Sequence, residues 1–240
     1  MKNIVLSETW ILAMKQTVLA AMAICVTLAG QIGCSKPPTR REARRNKRVE
    51  TLTKTLSGED PEAGVRAAEQ LANMGPAAAG AAPALIDALG AESAMVRAYA
   101  AAALGKICKS AGDATRALRK SLEDPDGTVR VWSALALFRI EPDADPEIKV
   151  IADVLADRKL PTQARIEAAV AVVQMGPKGK GAVKALIAAL EKSTIRRHAA
   201  YALGAIGPDA GEAVDALRRV AGMPGPAGQA ARTAIKQIQK

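Results

Sequence analysis

The sequence predicts an all-α fold, a right-handed α-solenoid of about six stacked helical hairpins. Three observations carry that expectation. A helical pattern recurs six times along the 240 residues. Apolar residues make up 49% of the chain but aromatics only 2%, so burial must come from Ala, Leu, Val and Ile, which suit closely spaced helices. The third is a second, shorter helical pattern ahead of each copy, with apolar residues four apart.

The recurring stretch is clearest as "IRRHAAYALGAIGP" from Ile195. Counterparts are "AGVRAAEQLANMGP" from Ala63, "VRAYAAAALGKI" from Val96, "VRVWSALALFRI" from Val129, "ARIEAAVAVVQMGP" from Ala164 and a degenerate "AGQAARTAIKQI" from Ala227. Their last apolar position falls at Met74, Ile107, Ile140, Met175, Ile206 and Ile238, at intervals of 33, 33, 35, 31 and 32 residues. Such a period marks a repeat architecture rather than a heptad. Numbering each copy from its first residue, positions 5 and 6 are almost always small, as in Ala67-Ala68, Ala100-Ala101, Ser133-Ala134, Ala168-Ala169 and Ala199-Ala200. Position 9 is branched and apolar: Leu71, Leu104, Leu137, Val172, Leu203 and Ile235. At about 100° per residue, positions 1, 5, 8, 9 and 12 share one face, so each copy is an amphipathic helix that a neighbour approaches closely.

The preceding helices are marked by Leu52 and Leu56, Leu85 and Leu89, Leu118 and Leu122, Ile151 and Leu155, Leu186 and Leu190, and Leu217 with Ala221. Gly75-Pro76, Gly176-Pro177 and Gly207-Pro208 close the second helix of three units with a left-handed glycine cap and a following proline. "SGEDPEAG" and "EDPDGT" supply turn and N-cap chemistry between the helices. A hairpin of this size buries its apolar face only by stacking, which yields a solenoid over residues 49–240. Its last copy, with Arg232 in a small-residue slot beside Lys236, Gln237, Gln239 and Lys240, reads as a polar cap.

The net charge of +10 is uneven: residues 1–56 hold ten Lys and Arg against three Glu, whereas the rest is nearly balanced. The body is therefore a poor electrostatic match for nucleic acid. Cys25, Cys34 and Cys108 form neither a CxxC nor a disulfide framework, and no metal site or cofactor is expected. Residues 1–35 read as a signal peptide or membrane anchor, in which Gln16 to Ser35 carry no charge. Translation from Met14 would place Lys15 as a short basic region before the apolar run, so the start is either Met1 or Met14. Residues 36–48 are a basic linker or the start of the first helix, and hold seven positive charges against one glutamate. That charge favours retention on the cytoplasmic side if the apolar run is an uncleaved anchor. It would lie against anionic head groups if the chain is lipidated.

Two resemblances follow from these motifs. Gln31-Ile32-Gly33-Cys34 resembles the lipobox of bacterial lipoproteins, with Gln31 where that family usually has Leu; the resemblance implies lipidation of Cys34 and export. The pattern "VRxxAAxALGxIG" resembles HEAT repeats of the short type named after phycobilisome lyases. That likeness implies first helices on a convex face and second helices on a concave face where partners dock. It also implies that Arg97, Arg130, Arg165 and Arg196, at position 2, pair between units with the preceding Glu92, Asp124, Asp126, Asp157 and Glu191 as a structural ladder.

The expected groove is the stripe at positions 4, 7 and 11, bordering the buried face. Its candidates are Arg66, Tyr99, Trp132, Arg139, Glu167, His198 and Tyr201, which include the types most enriched in binding hot spots. The competing reading is that the aromatics plug gaps between Ala-rich helices. Phe138, at position 10, is expected opposite the core face as a further contact residue. The lone histidine, His198, sits in a slot filled elsewhere by unrelated residues and is read as a surface or half-buried residue, not a catalyst. A single histidine also rules out the paired His-Glu di-iron site of the HEAT-like deoxyhypusine hydroxylase.

The function expected is a non-enzymatic, membrane-tethered scaffold, monomeric, with a protein or peptide partner on its concave face. The alternatives are a chromophore lyase or chaperone-like activity, and a DNA-glycosylase-like activity for which Trp132 and Glu167 would be at hand. A third reading is a purely structural spacer.

Overall fold

The computed structural model describes residues 39–107, 112–142, 146–191 and 194–240. The leader with Cys25 and Cys34, and likewise Cys108, lie outside the described residues. Every regular element described is helical, in agreement with the expected all-α solenoid. Residues 45–240 form one compact unit, and a separate unit ends at Arg44.

The first hairpin is α1 (Arg40–Leu56) and α2 (Pro61–Met74). Then come α3 (Ala82–Ala88) with α4 (Ala94–Ile107), α5 (Asp113–Lys120) with α6 (Gly127–Ile140), and α7 (Pro146–Ala156) with α8 (Thr162–Met175). The last two pairs are α9 (Val183–Glu191) with α10 (Arg196–Ile206) and α11 (Val214–Ala221) with α12 (Pro226–Ile238). The basic stretch enters α1 through a reciprocal cap: Thr39 N–H donates to Glu42 Oε2 at 2.8 Å, and Glu42 N–H donates to Thr39 Oγ1 at 3.2 Å.

Small residues set the packing. The second helices α2, α4, α6, α8, α10 and α12 stack in chain order. Alanines 67, 68, 100, 101, 134, 168, 169, 199 and 200 are buried to 1% exposure or less. Leu71, Leu104, Leu137, Val172 and Leu203 are fully buried beside them, each position 9 side chain contributing about 1.5–3 kcal/mol by leaving water. From the first helices come Leu85, Leu118, Ile151, Leu186 and Leu217, also fully buried. One cluster runs from α1 to α6 and a second from α6 to α12, and the half-buried Leu122 and Trp132 pack against both.

Position 8 is alanine from the second unit on: Ala103, Ala136, Ala171, Ala202 and Ala234, all buried. The reason lies at position 10 of the preceding unit. A Cβ added to Gly105 would stand 2.6 Å from Ala136 Cα, so the α4 and α6 backbones meet at a distance that admits no side chain. Gly204 repeats the arrangement, its added Cβ lying 3.0 Å from Ala234 Cα. In α4, α6 and α10 position 10 therefore faces the next unit, contrary to its expected place opposite the core; in α8 it does not, and Val173 is 41% exposed. Phe138 is accordingly half-buried and packs against the second cluster instead of projecting as a contact residue. A second helix has neighbours on two sides, which widens its buried arc.

Turn chemistry follows the residues. Asp60 caps α2 by accepting from Glu62 N–H at 2.9 Å, and Asp126 caps α6 by accepting from Thr128 and Val129 N–H at 2.7 and 3.2 Å. Gly75, Gly176 and Gly207 end α2, α8 and α10 with φ of 57°, 58° and 77°. Their ψ values, −142°, −133° and −143°, lie outside the left-handed helical well that a Gly-Pro stop suggests. The reason is the following proline, which bars its predecessor from helical ψ and starts a 3-10 segment, Gly75–Ala81, Gly176–Ala182 or Gly207–Ala213, that leads into the next first helix. This backbone region is essentially reserved for glycine. Gly176→Ala should cost about 1–3 kcal/mol of unfolding free energy in a urea titration, with an unchanged m-value.

Candidate functional site on the second-helix face

Because the second helices stack in register, position 4 side chains form a row across them. Tyr99 on α4 and Trp132 on α6 stack at a centroid distance of 5.7 Å with 25° between ring planes. Both are half-buried. Glu167 on α8 and His198 on α10 continue the row, and Arg66 begins it on α2. Arg66 is held locally, within 3.7 Å of Asp60 and 3.3 Å of Glu62. At position 11, Arg139 donates a hydrogen bond to Gln174 Oε1 of the next unit.

Two cavities open along this face. The first, about 380 Å³, lies between α4, α6 and α8 and brings together Tyr99, Trp132 and Glu167 with Met95, Asp126 and Gln163. The second, also about 380 Å³, brings His198 and Tyr201 together with Val170 and Val173. Arg66 and Arg139 line neither. Val170, at position 7, and Val173, at position 10, were legible as apolar residues off the core face, yet the sequence reading did not single them out. Met95 precedes its copy, and only the fold brings it beside Tyr99.

His198 Nδ1 is buried and has no hydrogen-bond partner among the described residues. Burial, reinforced by the charge of Arg197, holds its pKa below the ordinary histidine value, so it is a neutral ring at pH 7. Among the described residues, no group of three or more His, Cys, Asp or Glu converges as a metal site.

The position 2 arginines have a geometry of their own. Arg97 donates from Nη1 to the Ala91 and Glu92 carbonyls at 2.9 and 2.8 Å. Arg130 Nη1 reaches the Asp124 and Pro125 carbonyls at 2.8 and 3.2 Å, and Arg165 Nε reaches Leu155 O at 3.1 Å. Arg196 donates to Leu190 and Glu191 carbonyls at 2.5 and 2.8 Å. The repeated interaction is thus a guanidinium on backbone carbonyls of the same unit, at the end of the first helix for Arg165 and Arg196 and in the connection after it for Arg97 and Arg130. At a helix end the backbone leaves acceptors unsatisfied and its dipole favours a cation. In the last unit, where position 2 is Gly228, Arg232 takes over by donating to Ala221 O.

Pairing between units occurs at Arg97 and Asp124, a two-pronged bond of Nε to Oδ2 at 2.8 Å and Nη2 to Oδ1 at 2.9 Å. Their side chains are only 14% and 10% exposed. Burial opposes ionisation of Asp124, yet the Arg97 hydrogen bonds, the Asp126 N–H and the charges of Arg97 and Arg130 together hold its pKa below the ordinary carboxylate value.

Family models match two stretches of the chain: "HEAT repeats" over residues 49–138 and "PBS lyase HEAT-like repeat" over residues 195–222. The chain is a HEAT-like repeat protein. Among solved structures, an engineered protein is 25% identical over 80% of this chain and 96% of its own, with a TM-score of 0.52. A designed armadillo repeat protein in complex with a (KR)4 peptide is 16% identical over 79% and 99%, with a TM-score of 0.54, and shows the fold alone. Human deoxyhypusine hydroxylase in complex with glycerol covers 82% of the chain and 98% of its own at 22% identity, but its TM-score of 0.29 carries no argument. No curated protein matches in sequence.

The HEAT-like stack makes one pH dependence explicit. Because the Asp124 pKa is lowered on folding, its contribution is complete above the unfolded value of about 4 and is lost as pH falls through the folded value. Asp124→Asn should remove about 1.5–3 kcal/mol at pH 7 and flatten the acid limb of the stability profile, measured by urea unfolding from pH 7 down to 2.

Proposed function

We propose that this HEAT-like repeat protein is a non-catalytic interaction scaffold that binds a protein or peptide partner along its second-helix face. The supporting observation is the placement of exposed apolar side chains. Of the five large apolar side chains exposed among the described residues, four lie on second helices, Met95 at 62%, Val170 at 36%, Val173 at 41% and Tyr201 at 48%, with Met95 in the cavity of the Tyr99–Trp132 stack; the fifth, Met223, lies between α11 and α12. Large side chains spent on water instead of core, gathered on one face, mark a recognition surface. The fold's use in a designed armadillo repeat protein that holds a peptide is compatible with this reading.

We further propose that the N-terminal segment tethers the scaffold to a membrane after export, through lipidation at Cys34, and that the solenoid acts as a monomer. Among the described residues no helix is long and apolar enough to cross a membrane. The arginines and lysines of α1, from Arg40 to Arg48, are exposed and available to anionic head groups.

A combined Met95→Ser, Val173→Ser, Tyr201→Ser variant of the full chain tests the face. These residues are exposed, so melting should change little. A partner recovered by pull-down with the wild type and with Lys184→Ser, a first-helix control, should fall at least about tenfold with the triple variant. Equal recovery from all three would reject the second-helix face as the docking surface.

A further inference from the structure

The cavity between α4, α6 and α8 is chemically different from its neighbour. The Val170–Tyr201 cavity has no carboxylate in its wall, whereas the Trp132 cavity has two, Asp126 and Glu167, and no lysine or arginine. Asp126 spends Oδ1 on the α6 cap and sits in the field of Arg97. Glu167 is less committed. Its Oε1 accepts from Gln163 Nε2 at 2.8 Å, and it forms no salt bridge among the described residues. The rest of the lining includes apolar, polarisable groups: Met95, the Tyr99 ring and the Trp132 ring.

A carboxylate in the same cavity as stacked aromatic rings suits a group that is cationic and also flat or greasy. Ring faces attract a cation, most strongly for tryptophan, and the guanidinium plane stacks on them while its hydrogen-bond fork meets a carboxylate. An ammonium satisfies the charge but not the stacking, and a neutral apolar side chain leaves Glu167 partly desolvated without compensation. The volume, about 380 Å³, lies at the small end of binding cavities and has room for an arginine side chain.

We propose that this cavity is the receptor for an arginine side chain presented by an extended segment of the partner. The inference rests on the second-helix face being the docking surface, and it specifies the partner as a basic segment. The adjoining cavity at Val170, Val173 and Tyr201 then takes an apolar residue of the same segment, giving a charged anchor beside a hydrophobic one. The arginine supplies charge selectivity and the apolar neighbour supplies area.

The test uses the full chain carrying Trp10→Phe, so that fluorescence reports Trp132 alone. Two probe peptides are titrated at low salt, Ac-Leu-Ser-Arg-Leu-amide and the same peptide with citrulline, which keeps the shape and removes the charge. The arginine peptide should bind at least about tenfold tighter and lose that advantage at high salt. Glu167→Gln should abolish the difference between the peptides without lowering the melting temperature, and Glu167→Lys should reverse it in favour of a peptide with glutamate in place of arginine. Equal binding of the arginine and citrulline peptides overturns the arginine assignment and leaves the scaffold reading intact. Binding of neither peptide, while the pull-down partner is still lost on mutating the exposed face, overturns it in the same way. A partner retained in both kinds of variant sinks the docking face itself.

Discussion

Everything in this molecule depends on how closely one second helix approaches the next. At Gly105 the α6 backbone stands where a side chain would be, with Ala136 Cα 2.6 Å from the position of an added Cβ. That spacing explains the composition. A chain with 2% aromatics cannot fill wide gaps, so it must have narrow ones, and alanine at positions 5, 6 and 8 is what permits them. Helices so close gain dispersion contacts along their backbones, at the cost of tolerating almost no change in volume.

The repeat period, the caps and the arginines all serve that stacking. Each unit must deliver its second helix at the same angle as the last. Gly-Pro at the end of α2, α8 and α10 fixes the reversal into a 3-10 entry, and the position 2 arginine ties the second helix back to carbonyls at the end of the first or in the connection after it. With the interior closed by small side chains, the few large polar-tipped residues have no place inside and collect on the second-helix face. Trp132 is the exception that joins the two roles, since it packs against both hydrophobic clusters and also lines a cavity. The face and the core are thus adjacent surfaces of the same helices, and recognition is borne by a rigid support.

Much of the fold was legible because periodicity is a one-dimensional signal. Leu71, Leu104, Leu137, Val172 and Leu203 recur at one phase of the repeat, and every one of them is buried. Phe138 misled because a single helix has one core face; its second neighbour, against which Phe138 packs, is a property of the stack. The role of the arginines was legible only in part, since charged partners can be read from a sequence but backbone carbonyls cannot. Asp124 answers Arg97 as a carboxylate, whereas the Ala91, Leu155 and Leu190 carbonyls that receive Arg97, Arg165 and Arg196 have no letter of their own. The candidate stripe was visible as a set of residues but not as two cavities, because Met95, Trp132 and Glu167 come from three units and meet only when those units stack.

The measurement that bears most directly on this account is the unfolding free energy of Gly105→Ala. Helix propensity alone makes alanine better than glycine in a helix interior by about 1 kcal/mol, so an unconstrained α4 would be stabilised. If close approach to Ala136 governs the stack, the added methyl group forces α4 and α6 apart and the variant is instead less stable, by about 1–3 kcal/mol. A gain in stability would contradict the claim that α4 and α6 are held at a distance only glycine and alanine allow.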